Sequence, residues 1–129
     1  MKFYIATGFK NRNSFHKYKA AIQNLGHKLT LDWTKSVGML YTIAEKEIDA
    51  VCDADFVVIL FPCGLGTHVE LGAALAAKKQ VFIVTKHLMD VPFYYHSLVR
   101  LLDSMESLIK EIRSYEERAI RSTEESSCS

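Results

Sequence analysis

The stretch Cys63-Gly64-Leu65-Gly66-Thr67-His68-Val69-Glu70-Leu71-Gly72 sets a carboxylate beside a glycine-bearing loop. It follows an unbroken apolar run, Phe56 to Phe61, and leads into the helix-forming segment Leu71 to Lys79. A buried strand that empties through such a loop into a helix N-terminus offers free backbone N–H groups to a sugar or a phosphate. Glu70 then stands where the helix dipole favours its ionised form. An ionised carboxylate beside a sugar is what covalent glycosyl transfer requires. Tyr4, in the first apolar segment, can reach that carboxylate with its hydroxyl. The same residues also have a plain structural reading. Thr67-His68-Val69-Glu70 has the spacing of a capping box, in which Glu70 only returns a hydrogen bond to the helix start. Gly64 and Gly66 can simply join strand to helix, and Tyr4 can be a core tyrosine whose hydroxyl surfaces at the sheet edge.

The elements around these residues alternate. Lys2 to Thr7 reads as a strand ended by Gly8, and Arg12 to Leu25 as a helix capped by Asn13 or Ser14 and stopped by Gly26. Lys28 to Trp33 alternates as an edge-like strand. Thr42 to about Asp53 sets Ile43, Ile48, Val51 and Cys52 on one helical side. Phe56 to Phe61 and Gln80 to Thr85 lack polar interruptions, as central parallel strands do. Leu98 to Leu102 fits a fifth strand, and Asp103-Ser104-Met105-Glu106 a capping box opening a last helix to about Arg118, with Leu108, Ile109 and Ile112 inward. The small residues Gly72, Ala73, Ala74, Ala76 and Ala77 imply a helix packed closely on the sheet. Strands alternating with helices predict parallel pairing through right-handed crossovers. The expected fold is α/β: a three-layer sandwich, flavodoxin-like (Rossmann-like), with a five-stranded parallel sheet in the order 2-1-3-4-5. Residues 1–120 form one domain, and the serine-rich 121–129 reads as a frayed tail.

Ligands of such sheets bind beyond the carboxyl ends of the strands, beside the switch point between strands one and three. That rule selects Gly8 to Arg12, Trp33 to Ser36, Pro62 to Glu70 and the chain from Lys86 onward. Trp33 and Phe9 are candidates to stack on a base, and His68 to enter the pocket. Asp53 and Asp55 fall at the opposite end and read as helix-end and turn residues.

Composition narrows the function classes. The chain has 129 residues, about half of them apolar, and a formal charge of +1. No polybasic surface argues for nucleic acid or an anionic membrane, and no apolar run reaches the length of a membrane span. Met1 to Phe9 is too short for a signal-peptide core. Cys52, Cys63 and Cys128 read as reduced thiols, which together with the missing leader predicts a cytoplasmic protein. His16, His27 and His87 form no ligand pattern with each other or with cysteine, so no metal site and no cofactor are expected.

Tyr4-Ile5-Ala6 before a glycine turn, Glu47 eight residues before Asp55-Phe56-Val57-Val58, and Gly64 to Gly72 together resemble the nucleoside 2-deoxyribosyltransferase family, which includes the related 2'-deoxynucleoside 5'-phosphate N-hydrolases. The resemblance covers nearly the whole chain and is most specific in its middle third. It implies that Glu70 is the nucleophile at the anomeric carbon and that Tyr4 orients it. It gives the base-protonating role of a family aspartate to Glu47, with Asp49 on a different helical face. It implies substrate contacts from Gly8, Phe9, Trp33, Gly64, Gly66, Thr67, His68, Tyr94 and His96. It further implies a homodimer or larger homo-oligomer in which the Pro92 to Ser97 segment completes a neighbour's site. The phosphate-hydrolysing relatives carry a serine where this chain has Gly64, which favours an unphosphorylated nucleoside, while Lys10 and Arg12 keep a nucleotide possible. The expected activity is cleavage of a (deoxy)nucleoside N-glycosidic bond with transfer of the sugar to another base or to water. A 5'-monophosphate N-hydrolase and a noncatalytic nucleotide-binding module of the same fold are the alternatives.

Overall fold

The computed structural model describes residues 1–87 and 89–127. Five parallel strands run β1 (Lys2–Ala6), β2 (Lys28–Leu29), β3 (Phe56–Leu60), β4 (Gln80–Val84) and β5 (Val99–Leu102), in the spatial order β2-β1-β3-β4-β5. Four α-helices connect or follow them: α1 (Arg12–Gln23), α2 (Leu40–Asp53), α3 (Leu65–Ala76) and α4 (Met105–Ser127). This is the α/β order expected, with the switch point between β1 and β3.

Side-chain alternation along the strands builds two cores. Phe3, Ile5, Phe56, Val58, Leu60 and Phe82 pack with Phe15, Ile22, Leu108 and Ile112 of α1 and α4. Tyr4, Ala6, Val57, Ile59, Val81 and Ile83 pack with Ala50, Val51, Leu71 and Ala74 of α2 and α3. The period of two therefore fixes the face on which Tyr4 lies. It is the face covered by the helices that carry Glu47 and Glu70.

Several boundaries differ from expectation, each for a local reason. β2 ends at Leu29 rather than Trp33. After Thr30 N–H donates to the Phe3 carbonyl at 2.9 Å, the Trp33 indole Nε1–H donates to the Ile5 carbonyl at 2.7 Å. A side chain thus satisfies the next carbonyl of β1 while the backbone turns into a short 3-10 helix, Trp33–Lys35. α1 starts at Arg12 as expected but ends at Gln23, and its N-cap is Asn11 rather than Asn13 or Ser14. The Asn11 side chain is engaged elsewhere: its Nδ2 donates to Thr7 Oγ1 at 3.0 Å. Gly26, at φ 96°, supplies the left-handed turn that ends the α1 region. α4 is capped by Ser104, whose Oγ accepts from Ser107 N–H at 3.1 Å. Asp103 instead accepts from the Ser107 hydroxyl at 3.0 Å. α4 also continues past Arg118 to Ser127, so seven residues of the expected tail, 121–127, are helical, while Cys128 and Ser129 lie outside the described residues. On α3, Ala74 is buried and Ala73 partly so, but Gly72, Ala76 and Ala77 face outward. Among the described residues no helix is long and apolar enough to cross a membrane.

Candidate active site

α3 begins at Leu65, with Gly64 at its N-cap and no side-chain cap. Thr67 and Glu70 therefore sit inside the helix, and the capping-box alternative for these residues falls away. Thr67, Glu70, Leu71 and Ala74 follow helical spacing toward the sheet and α2. On α2, Ile43 and Glu47 are four residues apart and share the facing stripe with buried Ala50. The two glutamates meet across this helix pair, above Tyr4 of β1.

They close one end of a cavity of about 370 Å³, lined by Thr7, Gly8, Phe9, Trp33, Ser36, Ile43, Glu47, Gly64, Gly66, Thr67 and Glu70. Its mouth lies at the carboxyl ends of β1 and β3. Thr7 fastens those ends together, because its Oγ1–H donates to the Leu60 carbonyl at 2.8 Å. Apart from its chain neighbours and local helix backbone, a Cβ at Gly64 or Gly66 would meet no atom of the described residues within 4 Å. Packing therefore does not demand glycine at either position, and the space left free is next to the cavity.

The electrostatics centre on the carboxyl pair. Burial, and then the neighbouring Glu47 charge, push Glu70 up to about 8. The nearby Tyr4 hydroxyl opposes this by favouring the charged form. Glu47, less buried, is also raised by desolvation, and its hydrogen bond with Glu70 offsets part of that rise. Both shifts favour protonation, so the pair keeps a proton to higher pH than an ordinary carboxyl does. The expectation that the helix dipole favours an ionised Glu70 does not hold. Glu70 is the sixth residue of α3, beyond the first turn in which the dipole is felt. Tyr4 is fully buried. Its hydroxyl faces Glu70, yet no described residue completes a hydrogen bond with it in standard geometry. Burial beside two carboxyls holds the phenol well above its ordinary range. Burial likewise pushes the Cys63 thiol up to about 11, which leaves it uncharged beside the loop.

The aromatic wall is ordered from behind. Trp33 is held by its bond to Ile5 and by Phe15, with ring centroids 4.9 Å apart. Phe9 lies 6.4 Å from Trp33 and is largely exposed, and the Arg12 guanidinium sits 4.9 Å over its ring.

Of the residues singled out in the sequence, Glu70, Glu47, Gly8, Phe9, Trp33, Gly64, Gly66 and Thr67 come together around the cavity, with Tyr4 beneath the carboxyls. His68, Tyr94 and His96 do not line it. His68 and Tyr94 bond each other, and His96 Nδ1 accepts from Leu98 N–H at 3.0 Å. Asp49 is exposed on the outer side of α2. Asp53 and Asp55 hold the opposite end of the sheet, bonded to Lys2 Nζ at 2.6 Å and Lys2 N–H at 2.8 Å. Ser36, within the selected Trp33 to Ser36 segment, lines the cavity too, while Thr7 and Ile43 were not among the candidates. The i,i+4 spacing from Ile43 to Glu47 was the available signal for one of them.

Fold and site together define a flavodoxin-like α/β protein with a carboxyl pair at the ligand edge of its sheet. No protein-family model matches the sequence, and no curated protein matches it either. Among solved structures the chain is similar to the CMP N-glycosidase BcmB of Clostridium botulinum, with a TM-score of 0.66 and 14% identity over 89% of this chain and 100% of that one. At that identity the likeness is one of fold.

Proposed function

We propose that this protein cleaves the N-glycosidic bond of a (deoxy)nucleoside through a covalent glycosyl-Glu70 intermediate. The observation that carries the reading is the Glu70 carboxyl, facing both the Glu47 carboxyl and the Tyr4 hydroxyl, beside a cavity at the sheet's ligand edge. With the shared proton on Glu47, an ionised Glu70 oxygen bonds to the anomeric carbon. The carbon–nitrogen bond breaks, its electron pair goes to the base nitrogen, and Glu47 delivers the proton to the base. Tyr4 donates to Glu70 as its charge forms, then releases it as the ester bond is made. A second base or water next attacks the same carbon, gives its proton to Glu47, and frees Glu70. Two displacements retain the sugar configuration. Protonating the leaving base contributes about two to four powers of ten in rate.

The unphosphorylated nucleoside is preferred on charge. Neither lysine nor arginine lines the cavity among the described residues, and Arg12 is occupied on the Phe9 ring. A 5'-monophosphate is the second reading. It is favoured by the α3 N-terminus opening on the cavity and by the substrate named for BcmB. Trp33 and Phe9 stack on the base in either case. A second copy of the chain covers the exposed apolar side chains Leu40, Tyr41, Leu65 and Val69, with exposed Phe93 and Tyr95 reaching toward its neighbour's cavity. These assignments suit a cytoplasmic nucleoside-handling enzyme.

The test is mass spectrometry of the intact protein incubated with a panel of nucleosides, their 5'-monophosphates and a 2-fluoro sugar analogue. The expected result is a sugar adduct on Glu70 and release of free base, both absent from Glu70→Ala. Folded protein that releases no base from any of these compounds would point to the noncatalytic binding module. Faster release from monophosphates would transfer the assignment to the nucleotide hydrolase.

A further inference from the structure

His68 lies two residues before Glu70 but faces away from the cavity, toward the short 3-10 helix Pro92–Tyr95. Its ring bridges two segments. Nδ1 is 2.7 Å from the Gly64 carbonyl and Nε2 is 2.5 Å from the Tyr94 hydroxyl. A carbonyl can only accept, so Nδ1 carries the hydrogen. In the neutral ring Nε2 is then the acceptor, and the Tyr94 hydroxyl donates to it. The Gly64 carbonyl also takes the His68 backbone N–H at 3.3 Å. It is thus fixed twice from one residue.

Tyr94 is itself anchored. It is 3% exposed, and its ring meets Phe61 edge-on with centroids 5.5 Å apart. Phe61 immediately follows β3 and precedes Pro62-Cys63-Gly64. The three rings of Phe61, His68 and Tyr94 therefore bracket the segment that ends at the N-cap of α3. On the other side, Gly64 and the first turn of α3, with Gly66 and Thr67, line the cavity. The Cβ positions of Gly64 and Gly66 face open space, so the hold on the loop comes through the Gly64 carbonyl.

We infer that His68 and Tyr94 are positioning residues: a clamp that ties the glycine loop to the segment after β4 and sets where the loop's backbone meets the substrate. This rests on the proposed function for its kinetic consequence, though not for its structural one. The clamp does not touch the base, so its loss acts equally on all bases. It acts on the loop and not on the carboxyl pair, so its loss raises KM far more than it lowers kcat.

The test uses Tyr94→Phe, which keeps the ring packing, together with His68→Ala and His68→Asn. In the substrate-free protein, amide hydrogen exchange followed by mass spectrometry should quicken in the peptides spanning 63–70 and 92–97 for Tyr94→Phe and His68→Ala. KM should rise about fivefold to tenfold for every accepted base, as expected for one lost hydrogen bond, with kcat within about threefold. His68→Asn, whose amide replaces the Nδ1–H donor, should lose less than His68→Ala. Unchanged exchange in both variants, or a KM effect confined to one base class, would overturn the clamp. A wild-type chain with no base release defeats the proposed reaction instead, and the exchange experiment still decides the clamp.

Discussion

At the residue scale, the proposed reaction turns on how Glu70, Glu47 and Tyr4 handle one proton. Glu70 is raised first by burial and then by the Glu47 charge, and is lowered by Tyr4. A nucleophile must lose its proton, so activity should rise with pH along a limb set by the pair. Glu47→Gln removes the charge term, and that limb should move to lower pH although burial remains. The same variant removes the acid, so cleavage should slow most for poor leaving bases, by about two to four powers of ten. Tyr4→Phe removes the one group that favours the ionised form, and the limb should move to higher pH. The phenol completes no hydrogen bond of standard geometry with a described residue in the resting fold. Tyr4→Phe should therefore leave stability unchanged or raise it, by up to about 1 kcal/mol, while activity drops. Opposite limb shifts in pH–rate profiles, read beside urea melts, check both variants. Shifts in the same direction would refute this division of roles. The places of the carboxylate and the tyrosine were legible in the sequence, from a glycine-marked strand end and from the first strand and the family resemblance. The proton distribution was not, since burial depth comes from how α2 meets α3.

At the element scale, what the sequence revealed depended on whether a pattern was periodic or local. Unbroken runs such as Phe56 to Leu60 gave β3 and β4 nearly to the residue, because burial on both faces leaves no polar position. β2 was overread, since no periodicity signals that the Trp33 indole replaces a backbone donor to Ile5. The capping-box spacing before α4 pointed to Asp103, whereas the neighbouring Ser104 holds the cap position. Ser104→Ala should accordingly cost about 1 kcal/mol, and Asp103→Ala distinctly less, in paired denaturant titrations. Equal losses would mean that the Asp103–Ser107 bond carries as much of the helix start as the cap does. The start of α3 was misplaced for a related reason. Glycines in a loop look like breakers, yet Gly66 is helical here, and the helix opens five residues before Glu70. That shift takes Glu70 away from the dipole's reach and into the gap facing Glu47.

At the scale of the whole molecule, the two ends of the sheet carry buried titrations of opposite sign. Below the sheet, His27 is 5% exposed, with Nδ1 3.0 Å from the Met1 ammonium and Nε2 3.5 Å from Glu116. Burial first, and then the ammonium, lower its pKa, with Glu116 and Asp55 opposing. The unfolded chain binds that proton more readily. Stability is therefore intact above the ordinary histidine value of about 6.5 and is lost as pH falls toward the folded one. Above the sheet the sign reverses, because Glu70 is raised. The folded chain holds that proton more tightly, so its contribution is intact below the unfolded value, 4.5, and is lost as pH rises through about 8. A neutral amide avoids that loss. Glu70→Gln should raise the melting temperature at pH 8 and lose this advantage toward pH 4.5, while abolishing base release at both. His27→Gln should flatten the acid side of the stability curve and leave the pH dependence of activity where it was, since no site residue touches His27. Thermal melts of the three proteins between pH 4.5 and 8.5 measure both effects. If Glu70→Gln proved no more stable than wild type at pH 8, the Glu70 carboxyl would already be solvated there. The raised pKa on which the reaction's acid limb depends would then be absent.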